Sequence, residues 1–341
     1  MTWRDAMSAA LYGPGGFYAR GEVPAHHFRT AVHVGGGYAT ALSGLLRYLD
    51  GVLGHPPRID LVDVGAGRGE LILQVLAAVG PALARRIRAC AVELRPRPTG
   101  LPSQIAWRTS PPEAITGLVI ASEWLDNVPL EVTELTPAGP RLVLVETASG
   151  AERTGPVPCP ADRAWASAWW PLWQCGDRAE IGRPRCDAWA GVIRSLRRGI
   201  AVAADYAHGR ADRPACGTLA GYRDGRAVPP IPDGSRDITA HVALDACAAA
   251  GVAAGAGQTL LASQRQVLRA LGVAGTRPPA SLADSSPLGY LRALCQACAD
   301  AELIDAHGLG GFGWLIQTAG VPLPAALRDG HGWRSGNDQY A

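Results

Sequence analysis

The chain has 341 residues, 48% of them hydrophobic and 18% charged, enough to bury one large core or two modest ones. Its 32 basic residues, all arginine, stand against 30 acidic ones for a net charge of +2, with no basic stripe of the kind that grips a nucleic-acid backbone. No apolar run approaches the roughly 20 residues of a membrane helix, and "MTWRDAMSAALYGPGGFY" carries no charged-then-apolar leader, so a cytoplasmic protein without membrane partners is expected.

Residues 1–50 read as a helical cover, with a helix around Arg4–Leu11, a Gly/Pro turn and a second helix from Ala39 to Leu49. A core begins in 51–129. "RIDLVDV" (58–64) has the continuous apolar character of a buried parallel strand, "GAGRG" breaks it, and "ELILQVLAAVGPALARR" resumes with helical spacing. "IRACAVEL" (87–94), "QIAWRT" (104–109) and "GLVIAS" (117–122) are further strands. This alternation predicts an α/β fold with a parallel sheet.

Residues 130–180 read as an insertion: a β-hairpin around Pro137-Ala138-Gly139, then the Trp-rich "AWASAWWPLWQCG". The core resumes over 181–320. It holds a helix from Arg185 to Leu196, a buried strand "GIAVAADYAHG" (199–209) and a loop-rich segment over 210–235. Asp237 is placed to cap a helix over "ITAHVALDACAAAG", followed by a strand at 252–260. Helices at "ASQRQVLRALG" and 287–305 and a last strand at 311–318 complete it, and 321–341 is expected to be a flexible tail.

The glycine loop carries the first chemical signal. In "LVDVGAGRGEL" a strand runs into Gly65, Gly67 and Gly69 and then a helix, as a backbone must where it turns tightly against a ligand. Dinucleotide enzymes use the related GxGxxG, and here the third glycine comes one residue early. An acid, Asp63, just before the first glycine fits a loop for S-adenosylmethionine (SAM); its other reading is a cap within the loop. Glu93 ends the next strand, 24 residues past Gly69, near the roughly 20-residue offset at which an acid accepts ribose hydroxyls. Arg68 reads as solvent-facing.

In "VIASEWLDNVPLEV" the fourth strand ends on Glu123 and Asp126. Ligands of open α/β sheets sit beyond the carboxyl ends of strands, so these acids would suit a cationic or N–H-rich acceptor. The bland readings are a helix cap for Glu123 and the start of a turn at Pro129 for Asp126. Asp205, Tyr206 and His208 end the 199–205 strand, and His208 or His241 would serve as a proton acceptor. No metal site is expected. Cys295 and Cys298 form a CxxC without a second pair, and His26, His27 and His33 fit no standard spacing.

"ALYGPGGFY", "HFRTAVH", "VDVGAGRGEL", "ASEWLDNVP", "DYAHG", "GTLAGYR" and "DITAHV" occur in the order seen in the MidA-like family, and the chain resembles its shorter, actinobacterial-type branch over roughly 3–318. The resemblance implies a class I SAM-dependent methyltransferase: a Rossmann-like, seven-stranded sheet whose last strand is antiparallel, with added segments covering the active site. It implies SAM binding by Gly65, Gly67, Gly69 and Glu93, and it places Glu123 and Asp126 at the family's Asn-Glu-x-x-Asp position, with Ser122 where the family usually has Asn. The mitochondrial member is a protein arginine methyltransferase that assists respiratory complex assembly. Transfer to a protein arginine nitrogen is therefore the expectation, with Glu123 gripping the guanidinium together with Asp126 or Asp205. A small-molecule acceptor, walled by Trp165, Trp169, Trp170 and Trp173, and a SAM-binding assembly factor with little turnover are the alternatives.

Overall fold

The structure, a computed structural model, describes residues 1–20 and 30–328. In chain order its strands are β1 (Ile59–Val64), β2 (Ile87–Val92), β3 (Ala106–Arg108), β4 (Ile115–Ser122), β5 (Glu131–Thr136), β6 (Gly139–Val145), β7 (Glu152–Thr154), β8 (Arg178–Ile181), β9 (Leu196–Asp205), β10 (Ala207–His208), β11 (Ala220–Arg223), β12 (Arg226–Val228), β13 (Asp237–Thr239), β14 (Val242–Ala243), β15 (Thr259–Ser263) and β16 (Gly313–Ala319).

The residues group into two compact units. One comprises Met1–Arg29, Glu123–Gly191 and Asp205–Ala254, and the other comprises Thr30–Ser122, Val192–Ala204 and Gly255–Ala341. The segment expected as a single cover over 1–50 therefore divides, and the residues from Asp205 to Ala254 group with the N-terminal helix rather than with the sheet.

The second unit is built on a seven-stranded sheet in the order β15-β16-β9-β4-β1-β2-β3. β1 pairs in parallel with β2 and β4, β2 with β3, and β4 with β9, while β16 runs antiparallel to β15. The parallel α/β sheet expected from the strand–helix alternation, and the seven strands implied by the resemblance, are thus present. Every residue of β1 is buried, as suits a strand covered on both faces. The helix Gly37–Val52 packs against β4 and against the helix Glu70–Ala78, burying Leu42, Leu45, Leu46 and Leu49. That apolar stripe at helical spacing is why the helix belongs with the sheet. The helical stretch after the glycine loop is interrupted at Gly80-Pro81 and resumes as Pro81–Ala84, since proline has no N–H to continue the ladder. From Val321 to Arg328 the chain is packed rather than loose: Val321, Leu323 and Leu327 are buried, and a short helix spans Ala325–Arg328. The rest of the expected tail, 329–341, and His26 and His27 lie outside the described residues.

The first unit is mostly antiparallel. The predicted hairpin is β5 and β6, turning between Thr136 and Gly139, in a four-stranded sheet ordered β7-β6-β5-β8. A three-stranded sheet (β12-β11-β13) and a parallel pair (β10-β14) accompany it. The N-terminal helix Trp3–Tyr12 supplies two adjoining parts of the core. Trp3 and Ala6 pack with Leu130, Val132, Val143, Val145 and Ala240, while Met7, Ala10 and Leu11 pack with Phe17 and Ile238.

Three expectations are corrected here. Asp237 does not cap a helix: it opens β13, and the helix begins only at Leu244. The residues between, Ile238, Thr239 and Val242, are β-branched and favour strands, and the alanine-rich stretch that favours a helix starts later. His241 accordingly lies between β13 and β14 rather than on a helix start. The strand expected at 252–260 is displaced to β15, because the helix Leu244–Ala253 runs through its first residues. The loop-rich segment over 210–235 contains β11 and β12, a hairpin that turns at Asp224-Gly225 with φ of 50° and 75°, an Asp-Gly turn signal that the sequence reading passed over.

Candidate active site

Four strands of one parallel array, β1, β2, β4 and β9, bring their carboxyl ends to the same edge of the sheet. β1 leads into the glycine loop, β2 into Glu93, and β4 and β9 exit at Ser122 and Ala204, which are register partners. Ligands of open α/β sheets occupy this edge.

The loop shows why it is glycine. Gly65, Gly67 and Gly69 have φ of 75°, 61° and 86°, a region costly for any residue with a Cβ. A Cβ on Gly69 would also sit 2.9 Å from Leu101 Cδ1. The amides of Gly65 and Ala66 donate to the Val92 carbonyl at 2.9 and 3.2 Å. Gly67 N–H donates to Glu93 Oε2 at 3.0 Å, and Arg95 N–H donates to Glu93 Oε1 at 3.1 Å. Glu93 therefore shapes the loop and retains lone pairs for another donor. The guanidinium of Arg95, a residue the sequence did not single out, borders Gly67. Arg68 donates its N–H to Glu70 at 3.0 Å. Asp63 lies within β1, 2% exposed. Burial raises its pKa to about 8, with the charges of Glu93 and Glu70 adding to the rise, so it holds a proton at neutral pH. At the end of β4 the Ser122 hydroxyl is hydrogen-bonded to Tyr38 at 2.9 Å.

In the other unit, Glu123 is half-buried, with φ of 50°, an uncommon conformation for a residue with a side chain. A short 3-10 turn, Leu125–Asn127, follows, so Glu123 and Asp126 do not share a regular helix. Asp205 holds this turn. Its Oδ2 accepts from the amides of Leu125 at 2.9 Å and Asp126 at 3.2 Å. Asp126 and Asp205 are 2% and 0% exposed, and burial raises both pKa values, that of Asp126 to about 6. For Asp205 the charge of Asp126 adds to the rise. Neither carboxyl faces open solvent, unlike the acceptor-gripping acids anticipated.

Around them stands a network the sequence reading missed. The fully buried Arg185 donates to four backbone carbonyls: Nε to Val128, one terminal nitrogen to Ala240 and His241, the other to Asp126. It joins the turn after β4 to the segment between β13 and β14. Glu180 accepts from the amides of Thr218 and Leu219 and from the Thr218 hydroxyl, which in turn accepts from His241 N–H. Asp237, whose pKa burial lifts to about 7, accepts from Tyr18 and from Asn127 Nδ2. The only local signal for Arg185 is an arginine on an otherwise apolar helix face.

His208 is fully buried, with Nδ1 against the Arg213 guanidinium, and desolvation drives its pKa well down. His241 is lowered to about 4 by burial and by the charge of Arg185. Both are neutral at physiological pH. His33 is bonded to Thr30 rather than to other histidines. Cys295 and Cys298 lie exposed on the helix Pro287–Leu303. Among the described residues no group of three or more His, Cys, Asp or Glu is arranged to hold a metal ion. The four tryptophans do not form one wall: Trp165 and Trp170 are buried, Trp169 is half-buried, and Trp173 is 80% exposed. Among the described residues no helix is long and apolar enough to cross a membrane.

Comparison with known proteins bears on this geometry. A crystal structure of a COG1565 superfamily member from Burkholderia thailandensis, bound to S-adenosyl-homocysteine, is similar with a TM-score of 0.80 and 24% identity over 97% of this chain and 91% of that one. A second, native structure of an uncharacterized COG1565 superfamily protein from the same organism gives a TM-score of 0.78 and 25% identity over 97% and 90%. These likenesses establish the fold as class I methyltransferase-like. No curated protein sequence matches the chain. A family model described as "Putative S-adenosyl-L-methionine-dependent methyltransferase" matches residues 49–261, more than half the chain. With the glycine loop and its acid in place on the sheet edge, the chain belongs to this family of methyltransferases, whose cofactor is SAM.

Proposed function

We propose that the chain transfers the methyl group of SAM to a nitrogen of a protein arginine, as a MidA-like methyltransferase of the shorter, actinobacterial-type branch. Gly65, Gly67 and Gly69 hold the cofactor's amino-acid end through left-handed backbone that glycine adopts without strain. Glu93 takes the ribose hydroxyls with the lone pairs its two amide contacts leave. When bound, the cofactor supplies a methyl already activated by its sulfonium.

The protein's task is then alignment and exclusion of water, worth roughly 7–11 kcal/mol for well-oriented reactants. A guanidinium keeps its proton at any physiological pH and is a poor nucleophile. A carboxylate that grips two of its N–H groups concentrates charge on one side and frees the lone pair of the remaining nitrogen. Glu123 is the acid for this role. The observation that carries the reading is its backbone: a partly exposed glutamate held in the left-handed region directly after β4. Strain of that kind persists where a side chain must be aimed. Asp205, bonded to the amides of the following turn, positions the segment, and Asp126 adds buried negative potential beside it.

The test is transfer of labelled methyl from SAM into a lysate of the source organism, separated into protein and small-molecule fractions. Label on protein that maps to arginine after digestion supports the reading. Label confined to small molecules replaces it with metabolite methylation. SAM binding without label in either fraction points to an assembly factor.

A further inference from the structure

We infer that Glu123, Tyr206 and His241, backed by Asp126 and Asp205, form an acceptor subsite shaped for a planar, donor-rich cationic group such as a guanidinium. The inference deepens the arginine reading above and rests on it for the identity of the substrate.

Four motif segments meet here, all within one unit: 123–127, 205–208, 217–222 and 237–242. The rings of Tyr206 and His241 are stacked, with centroids 5.7 Å apart and planes 23° apart. His208 stands behind, 6.4 Å from His241, and its other side meets Trp170 edge-on at 4.7 Å. Tyr206 and His241 are partly exposed, as is Glu123, while His208 and Trp170 are buried. The arrangement therefore has an open aromatic front and a closed back. Glu123 brings negative charge to the front, with buried Asp126 behind it; burial first and then Glu123 raise the pKa of the Tyr206 hydroxyl.

Buried polar atoms in proteins are nearly always hydrogen-bonded. Yet Asp126 Oδ1, Asp205 Oδ1, His241 Nδ1 and His208 Nε2 are buried with no partner among the described residues. The guanidinium of Arg213 faces His208 Nδ1 and must donate to it, so the His208 proton sits on Nε2. Asp126 Oδ1 is an acceptor, His241 Nδ1 becomes one with its imidazole proton on Nε2, and His208 Nε2 is a donor. With the Glu123 carboxylate in front of them, the two acceptors suit a ligand rich in N–H groups. A guanidinium offers five N–H donors and no acceptor, and its flat cationic face suits an aromatic platform under negative potential. Arg185 is committed to four backbone carbonyls, and Arg213 to His208, Asp245 and the Trp169 carbonyl, so neither fills the role.

The test is a titration of the full chain with methylguanidinium, followed through the imidazole nitrogen signals of its histidines, with methylurea as the neutral analogue of the same shape. The expected result is movement of the His241 signal with methylguanidinium binding about tenfold tighter than methylurea. His241→Phe, which keeps a ring and removes Nδ1, should weaken methylguanidinium by about tenfold, the effect of one lost hydrogen bond to a charged group. Tyr206→Leu should weaken it without disturbing the fold of the His241 segment, as judged by unchanged signals in the free protein. Methylurea binding equally well, an unmoved His241 signal at saturation of solubility, or unchanged affinity in both variants would overturn the subsite. These outcomes are independent of the lysate label. Arginine labelling with no methylguanidinium effect overturns the subsite alone, and methylguanidinium binding with label only on small molecules overturns the arginine reading alone.

Discussion

The glycine loop and the acid-and-histidine cluster are two solutions to placing chemistry, and they differ in how far apart in sequence their parts lie. The loop is local: Gly65, Gly67 and Gly69 set its path, and Glu93, on the next strand, ties it through Gly67 N–H. The cluster draws on Tyr18, residues 123–127, Glu180, Arg185, residues 205–208, Thr218 and residues 237–241, joined by side chains that reach across many elements. A local device can be read from spacing because backbone conformation imposes the residue type. A distributed one cannot, because any arginine on a helix can be the one that turns inward.

The sharpest way to break that contrast is Arg185→Met. It leaves four backbone carbonyls buried without their donor, and the expected loss is about 3–5 kcal/mol by urea unfolding. A loss below about 1 kcal/mol would show that the cluster is not held together through this residue. Next is Glu123→Gln, which should lower turnover about 100-fold and leave SAM affinity unchanged, as removal of one transition-state electrostatic group does. Glu123→Gly sharpens it: the left-handed strain is relieved, so stability should hold or rise by up to about 1 kcal/mol while turnover falls as far. Turnover that survives either change removes Glu123 from the chemistry. Gly69→Ala tests the local device. Its positive φ and the 2.9 Å approach of Leu101 should weaken SAM binding about tenfold by calorimetry, with a smaller effect on the unfolding midpoint than Arg185→Met.

The smallest expected effects concern pH. Buried Asp237 and Asp63 have folded pKa values of about 7 and about 8, above the roughly 3.9 of an unfolded aspartate. A raised carboxyl pKa means that the native state holds the proton longer. The stability this contributes is full below pH of about 4 and is lost as pH rises through the folded value. Asp237→Asn should therefore flatten the decline in urea midpoint between pH of about 4 and 7, and Asp63→Asn the decline that continues to about 8. His241, lowered to about 4, acts with the opposite sign: its contribution is present above about 6.5 and is lost as pH falls through 4. Slopes unchanged in both asparagine variants would mean that these carboxyls are not protonated in the native state.

The seven-stranded sheet was legible because buried parallel strands read as apolar runs, and the hairpin at 130–147 because its turn residues are specific. The number of strands and the antiparallel last strand came from the family resemblance, and the order, with β16 between β15 and β9, only from the structure. The helix start near Asp237 was misplaced because one acid before an apolar stretch looks like a cap. In the fold that acid is buried against Tyr18 and Asn127, partners more than 100 positions away. The β11–β12 hairpin was missed because its strands are only four and three residues long, too short to show an alternating pattern, although the Asp224-Gly225 turn between them was a legible signal.

The sequence by itself determined the α/β class, the glycine loop with Glu93, and the position of Glu123 at the end of the fourth strand. Those features follow from backbone sterics and from the period of apolar residues, which act over a few neighbouring positions. Only the tertiary structure decided that Asp126 and Asp205 are buried, that Arg185 binds carbonyls rather than acids, and that His241 faces Tyr206 instead of opening a helix. Desolvation decides such matters, and how much water reaches a carboxyl or an imidazole depends on elements far away in the chain.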